Sequence, residues 1–302
     1  MKTILRTYQP YRDSPKVSEF LAQTYPPTDR NPNWLRARWE YMVYAVQDGI
    51  EEKLASFGVW ENGSEIVGVV NFEDGPGEVY LQVHPDYTYL LAEMLSYAET
   101  ALSKTEVGGK RLTVWVNDFD GALQSLVQER GYVRAEFDPQ VVSRLDPMSS
   151  LDYALPEGFQ VTDRQECGDL RAINRVLWRG FNHEGPAPEQ YVAGRADVEK
   201  APTFRGDLTV MVRAPDGHLV SYCGMWYEEA TGIAYVEPVA TDPDYRRMGL
   251  GKAVVLEATR RAKDLGATRT IVNSGLAFYR AIGFQQLFTI QPWHRAWQGT
   301  NE

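Results

Sequence analysis

The sequence predicts a mixed α/β fold in two tandem copies, on three observations. Residues 233–267 read as strand, bend, glycine-rich turn and helix in direct succession. A similar order of hairpin, strand, turn and strand runs from residue 57 to residue 132. The length, 302 residues, is that of about two ordinary domains.

Composition narrows the class. A hydrophobic content of 43%, with 8 Trp, 17 Tyr and 11 Phe, is ample for packed cores and favours a globular chain over a disordered one. The first residues carry Lys2 and Arg6 without an apolar signal region, and no later run approaches spanning length, so a soluble protein is expected. Cys167 and Cys223 stand far apart with no C-x-x-C spacing, which fits a reducing cytoplasm. A net charge of −10 argues against a broad nucleic-acid surface and is compatible with an amine-bearing partner. His84, His183, His218 and His294 show no ligand spacing, so no metal is expected.

In the first copy, Phe57–Trp60 and Ile66–Val70 flank an Asn62-Gly63 turn, the signature of a hairpin. Val79–Val83 then runs as a strand into Pro85-Asp86-Tyr87, and Arg111–Val116 supplies another strand. In the second copy, Leu208–Arg213 and Leu219–Trp226 flank Pro215-Asp216-Gly217. Its next strand reaches Pro243-Asp244-Tyr245, and Arg269–Val272 parallels Arg111–Val116. The repeat is about 150 residues long, one domain per copy. The polar, proline-bearing stretch Leu145–Ser150 places the boundary between 147 and 148. Domains of 1–147 and 148–302 follow.

The second domain opens with an amphipathic helix over 170–178, carrying Leu170, Ile173, Val176 and Leu177 on one face. Residues 181–187 read as a loop. Ile233, Tyr235 and Glu237 then alternate with Ala234 and Val236 as a strand does, until Pro238 forces a bulge or parting, because proline donates nothing to a ladder. Leu250, Val254, Ala258, Ala262 and Leu265 recur at helical spacing, and Gly266 caps the end.

Between that strand and helix lies Arg246-Arg247-Met248-Gly249-Leu250-Gly251-Lys252. A loop feeding a helix N-terminus presents unpaired N–H groups and the positive end of the dipole, so it is built for anions. Glycines at 249 and 251 let a phosphate approach the backbone, while Arg246, Arg247 and Lys252 add charge. A di- or polyphosphate is the expected guest. A P-loop would require Gly-Lys-Ser/Thr, and a dinucleotide fold a third glycine and a distal acid.

The run Arg246-x-x-Gly249-x-Gly251 after a strand resembles the [Q/R]-x-x-G-x-[G/A] signature of the GNAT-superfamily N-acetyltransferases. Val236–Thr241 before it, and Asn273 followed by Ala277–Phe284 after it, are similar to the family's flanking strand and closing Gly-Phe segment. The resemblance implies two tandem GNAT-like acyl-CoA N-acyltransferase folds, a layout similar to that of the mycothiol synthases. It implies acetyl-CoA as co-substrate and direct acetyl transfer to the amine of a small molecule or peptide in a ternary complex. A non-catalytic acyl-CoA sensor and an interaction protein retaining the fold are the alternatives.

Within that resemblance Val239, Ala240 and Thr241 pair with the pantetheine amides, and Val239 N–H is nearest the thioester oxygen. Glu237 is either the base that takes the amine's proton or an outward-facing strand carboxylate. Tyr279 is either the acid beside the sulfur or a packed tyrosine. Asn273 either holds the cofactor or caps the following helix. Trp178, Phe181, His183 and Glu184 are acceptor candidates by the same likeness, with Trp226 lining the cleft or the core. Cys223, inside an apolar strand with no histidine placed for it, reads as an inert core thiol. Aligning the Pro-Asp-Tyr turns sets Thr88, Leu91 and Glu93 against Arg246, Gly249 and Gly251, and aligning the helix ends sets Val127 against Tyr279. The first domain is therefore expected to keep the frame without the pyrophosphate loop. Oligomeric state is not legible.

Overall fold

The computed structural model describes residues 2–298 apart from 26, 27, 29, 46–49, 147 and 148. In chain order its elements begin with β1 (Ile4–Thr7), α1 (Pro10–Gln23), α2 (Arg36–Tyr44), α3 (Ile50–Ala55), β2 (Gly58–Asn62), β3 (Glu65–Asn71) and β4 (Glu78–Val83). They continue with α4 (Leu91–Ala101), β5 (Lys104–Glu106), β6 (Gly109–Asn117), α5 (Gly121–Glu129), β7 (Val133–Arg134) and β8 (Gln140–Leu145). The second half holds β9 (Gln160–Asp163), α6 (Leu170–Gly180), α7 (Glu189–Val198), β10 (Val210–Arg213), β11 (Leu219–Glu228) and β12 (Ile233–Thr241). It closes with α8 (Leu250–Asp264), β13 (Arg269–Val272), α9 (Ala277–Ala281) and β14 (Gln285–Gln298). No helix among the described residues is long and apolar enough to cross a membrane.

Contacts divide the chain into two units. The first comprises residues 1–36, 48–142 and 286–302, the second 37–47 and 143–285. The boundary expected between 147 and 148 falls on residues outside the described set.

The two units share one strand plan. In the first, the order is β1-β2-β3-β4-β6-β14, with β4 and β6 parallel and the other neighbours antiparallel. In the second, it is β9-β10-β11-β12-β13-β8, with β12 and β13 the parallel pair. The sixth strand of the second unit is residues 143–145, from the first half of the sequence. The sixth strand of the first unit is the C-terminal β14.

Leu91 and Glu93 distinguish the start of α4 from that of α8, and Val127 of α5 stands where the second unit has Tyr279. Leu91 and Val127 are buried in the first unit, and the Glu93 carboxylate accepts a 3.0 Å hydrogen bond from Trp60 Nε1. Where the second unit has glycines and an open cleft, the first has core and an internal bond.

The second unit's sheet is buried on both faces. Leu250, Val254, Val255, Ala258 and Ala262 of α8 pack on Val210, Val212, Val220 and Val236. Ile173, Val176 and Leu177 of α6 cover Met211, Leu219, Tyr222 and Ala240 on the opposite face. Period-two alternation therefore selects which helix each strand residue meets. Asp169 caps α6 by accepting from the N–H groups of Arg171 and Ala172, and Gly266, at φ 107°, follows the end of α8 in the left-handed region.

Candidate active site

The site begins where the sheet stops being continuous. β12 pairs with β13 only over Ile233–Tyr235, so from Val236 onward the two strands part. On its other side, β12 pairs with β11 with a register shift between Cys223 and Met225, opposite Glu237 and Pro238. The bulge expected at Pro238 is present. Gly224 makes it sterically allowed, because a Cβ there would lie 2.3 Å from the Glu237 carbonyl oxygen.

Ladder alternation then sets which groups face the gap. The Asp242 N–H bonds Val220 O on β11, so Ala240 also points its N–H to β11, while Val239 and Thr241 point theirs the other way. A cleft of about 530 Å³ opens on that side. Its walls include Val239, Ala240 and Thr241 on one side and Leu276, Phe278 and Tyr279 on the other.

Its third wall is the loop into α8. Arg247 has φ 66° and Gly249 φ 81°, two left-handed residues within one turn. The first intrahelical bond is Ala253 N–H to Gly249 O, which leaves the N–H groups of Leu250, Gly251 and Lys252 pointing out of the helix start. The two glycines serve differently. Gly249 is required by its dihedral, whereas a Cβ on Gly251 would press on Thr241 Oγ1 at 3.2 Å and Phe278 at 3.3 Å. Arg247 and Lys252 are exposed and line the cleft, and neither has an ion-pair partner among the described residues.

Arg246 is differently placed. Its guanidinium donates to Thr241 O, to Gly180 O at 2.8 Å and to Asn182 Oδ1 at 2.8 Å, tying the end of β12 to the end of α6. Beside it, buried Asp242 accepts from Arg179 Nε at 2.6 Å and Nη2 at 3.0 Å. Burial works to raise this carboxyl, yet the Arg179 bonds hold it below the ordinary aspartate range. Gly180 lets the two elements touch, since a Cβ there would meet Ala240 Cβ at 2.6 Å.

Tyr279 stands at the inner end of the cleft, 7% exposed. Burial, reinforced by the nearby Cys223 and Glu237, pushes its phenol well above the ordinary tyrosine value, so it stays protonated at neutral pH. Burial also pushes the Cys223 thiol far up, which makes it a poor nucleophile. Met248 is 38% exposed and off the cleft wall. Asn273 follows β13 and does not line the cleft either; α9 begins after Leu276, whose side chain supplies no cap.

The acceptor candidates divide. Glu237 lies on β12 beside Trp226, whose Nε1 donates to the Glu237 carbonyl at 2.9 Å. Trp226 is 3% exposed and packs edge-on to Tyr41 and Phe204. Trp178, Phe181 and His183 line a separate cavity of about 240 Å³. Trp178 stacks on His183 at 4.1 Å and donates to the carbonyls of Glu184 and Gly185. Glu184 itself does not line that cavity. Sequence reasoning missed Gly180, Leu276 and Ile282 at the cleft, Gly224 opposite the bulge, and Tyr41 and Arg195 at the cavity. Of these only Gly224 carried a signal, lying inside the apolar run Tyr222–Trp226. Among the described residues no group of three His, Cys, Asp or Glu side chains is gathered as round a metal ion.

Residues 170–284, which hold the parted strand, the bulge and the glycine loop, match the model of the acetyltransferase (GNAT) family. Residues 170–284 form a GNAT domain. The chain is 30% identical, over 82 residues, to a Bacillus subtilis protein provisionally named ribosomal protein bS18-alanine N-acetyltransferase; the match takes in 27% of this chain and 53%, about half, of that protein. A mycothiol acetyltransferase of Saccharomonospora viridis is 24% identical over 253 residues, covering 75% of this chain and 78% of its own. A tandem GNAT protein from the clavulanic acid biosynthesis pathway superposes with a TM-score of 0.64 at 14% identity, over 99% of this chain and 100% of that one. The likeness extends through both units, so the chain has the fold of a tandem GNAT protein with its GNAT signature in the second half.

Proposed function

We propose that this protein is an acetyl-CoA-dependent N-acetyltransferase acting on the amine of a small molecule or peptide by direct attack in a ternary complex. The observation that carries the reading is a convergence. One cleft joins an outward-facing strand backbone, a helix N-terminus with two left-handed residues, and a buried protonated phenol.

The residues fit the cofactor. Gly249 leaves the loop backbone open, with nothing nearer than Ala154 O at 3.9 Å to an added Cβ. Leu250, Gly251 and Lys252 offer N–H groups to a diphosphate, and Arg247 and Lys252 add charge. When bound, acetyl-CoA supplies an activated acetyl group as a thioester. The N–H and C=O of Val239 and the N–H of Thr241 pair with an extended amide-bearing arm as a neighbouring strand would. Val239 N–H polarises the reacting carbonyl, Tyr279 returns a proton to the departing sulfur, and Glu237 takes the amine's proton directly or through water. Two free buried thiols are in keeping with a reducing cytoplasm.

The test is thiol release from acetyl-CoA across an amine panel, beside thermal stabilisation by CoA. Tyr279→Phe and Glu237→Gln are each expected to lower kcat on the order of 10²-fold, as loss of a general acid or base does, with CoA stabilisation retained. Stabilisation without turnover of any amine would make the protein a sensor. Unchanged rates in both variants would remove them from the chemistry.

A further inference from the structure

The cavity beneath Trp178 is built differently from the rest of this acidic chain. Its wall includes Asn174, Trp178, Tyr191 and Arg195 together with Tyr41 of α2, and among the described residues no carboxylate lines it. Two side-chain nitrogens of its wall residues have no hydrogen-bond partner among the described residues. Asn174 is 5% exposed and its Nδ2 has no partner, and the Nε of Arg195 is shut off from solvent and equally unpartnered. The Arg195 guanidinium is hydrogen-bonded to the phenols of Tyr41 and Tyr222, which are neutral at neutral pH; burial pushes Tyr222 up to about 12.

An arginine cannot shed its proton to escape burial. Its hydrogen-bond partners are neutral phenols, so no opposite charge among the described residues offsets it until an anion enters. Other arginines of this unit show the contrast: Arg164 pairs with Glu199, Arg179 with Asp242 and Arg261 with Asp163.

We infer that this cavity binds a carboxylate carried by the acetyl acceptor, so that the substrate is a small amine bearing an acid group. The inference rests on the acetyltransferase reading and names its substrate class. One permanent positive charge and one neutral amide donor match a monoanion, and the planar guanidinium fork fits a carboxylate. A volume of about 240 Å³ lies below the ~300–1,000 Å³ of pockets that enclose drug-sized ligands, so it takes one end of the acceptor. Trp178 and Tyr191, ring centroids 5.2 Å apart, supply flat apolar walls. Tyr41 also lines the small neighbouring recess that holds Glu237, which sets the acid group on one side of that ring and the amine's base on the other. A formal charge of −10 repels such a substrate at long range, which makes a dedicated cation necessary.

The experiment uses the full chain at saturating acetyl-CoA, with acceptors in matched sets: amino acids, their C-terminal amides, and aminoalkyl phosphate monoesters. Carboxylates are expected to exceed their amides at least tenfold in kcat/KM and to exceed the phosphates. Arg195→Gln is expected to raise KM for carboxylates at least tenfold while leaving kcat, and turnover of the amides, within twofold. If that variant melts below the assay temperature, Arg195→Lys and Asn174→Ala read the same split. Equal use of acids and amides, a preference for phosphates, or an equal loss for all three classes in the variants overturns the inference. CoA stabilisation and amide turnover that persist in those cases leave the acetyltransferase reading standing. Absence of both CoA stabilisation and any acetylation removes the two together.

Discussion

Gly224 shows how one residue positions a site it never touches. The nearest atoms to an added Cβ are the Glu237 carbonyl oxygen at 2.3 Å and its carbon at 3.0 Å, both main chain. Rigid backbone cannot swing aside as a side-chain tip does, so Gly224→Ala must displace the bulge that carries Glu237. Overpacking of this kind costs about 1–3 kcal/mol, and calorimetry is expected to find Tm lowered by roughly 3–10 °C with acetyl transfer reduced. Gly168→Ala, which has nothing within 4 Å, is the control and is expected to leave both unchanged. Arg246 carries the opposite lesson. Its place in the signature reads as a phosphate arm, whereas its guanidinium is spent on Thr241, Gly180 and Asn182, and that partnership depends on α6 lying nearby.

At the scale of elements, the loop before α8 combines a local strain with an open charge. Arg247 at φ 66° occupies a region that costs a side-chain-bearing residue about 1 kcal/mol, and such strain persists where it serves a site. Arg247→Gly is expected to be neutral or to stabilise by up to ~1 kcal/mol. It is also expected to weaken CoA binding severalfold at low ionic strength, the loss fading at ~0.5 M salt as screening shortens. Calorimetry at two salt concentrations checks this; unchanged affinity at low salt would place the side chain away from the phosphates. The strand, bend, turn and helix of this segment were legible because each rests on local chemistry: alternation, proline's missing donor, glycine's freedom and helical spacing. α7 was not, because its burial belongs to the tertiary fold: Gly194 and Val198 are enclosed while its sequence has no apolar stripe.

For the whole molecule, the exchange of outer strands matters most. Residues 143–145 complete the second unit's sheet, residues 37–47 join that unit, and β14 completes the first. A fragment of 148–302 therefore loses two segments of its own unit and carries β14 without the β6 edge it pairs with, an exposed strand of the kind that aggregates. Expressed alone it is expected to melt below the full chain and to self-associate, and adding fragment 1–147 is expected to restore both properties. A monomeric 148–302 fragment with the full chain's Tm would show that the exchanged segments contribute little.

What the amino-acid order determined alone is whatever a short window contains: the repeat, the hairpins, the glycine loop and its appetite for a diphosphate, the tyrosine placed before Gly283-Phe284. Tertiary structure alone decided which distant groups meet. It sent Arg246 to α6, freed the Val239 N–H by parting β12 from β13, and set Arg195 beside Asn174 and two neutral phenols. Periodicity and turn chemistry act between neighbours along the chain, whereas desolvation and charge pairing act through space and take their values only once the backbone has closed around them.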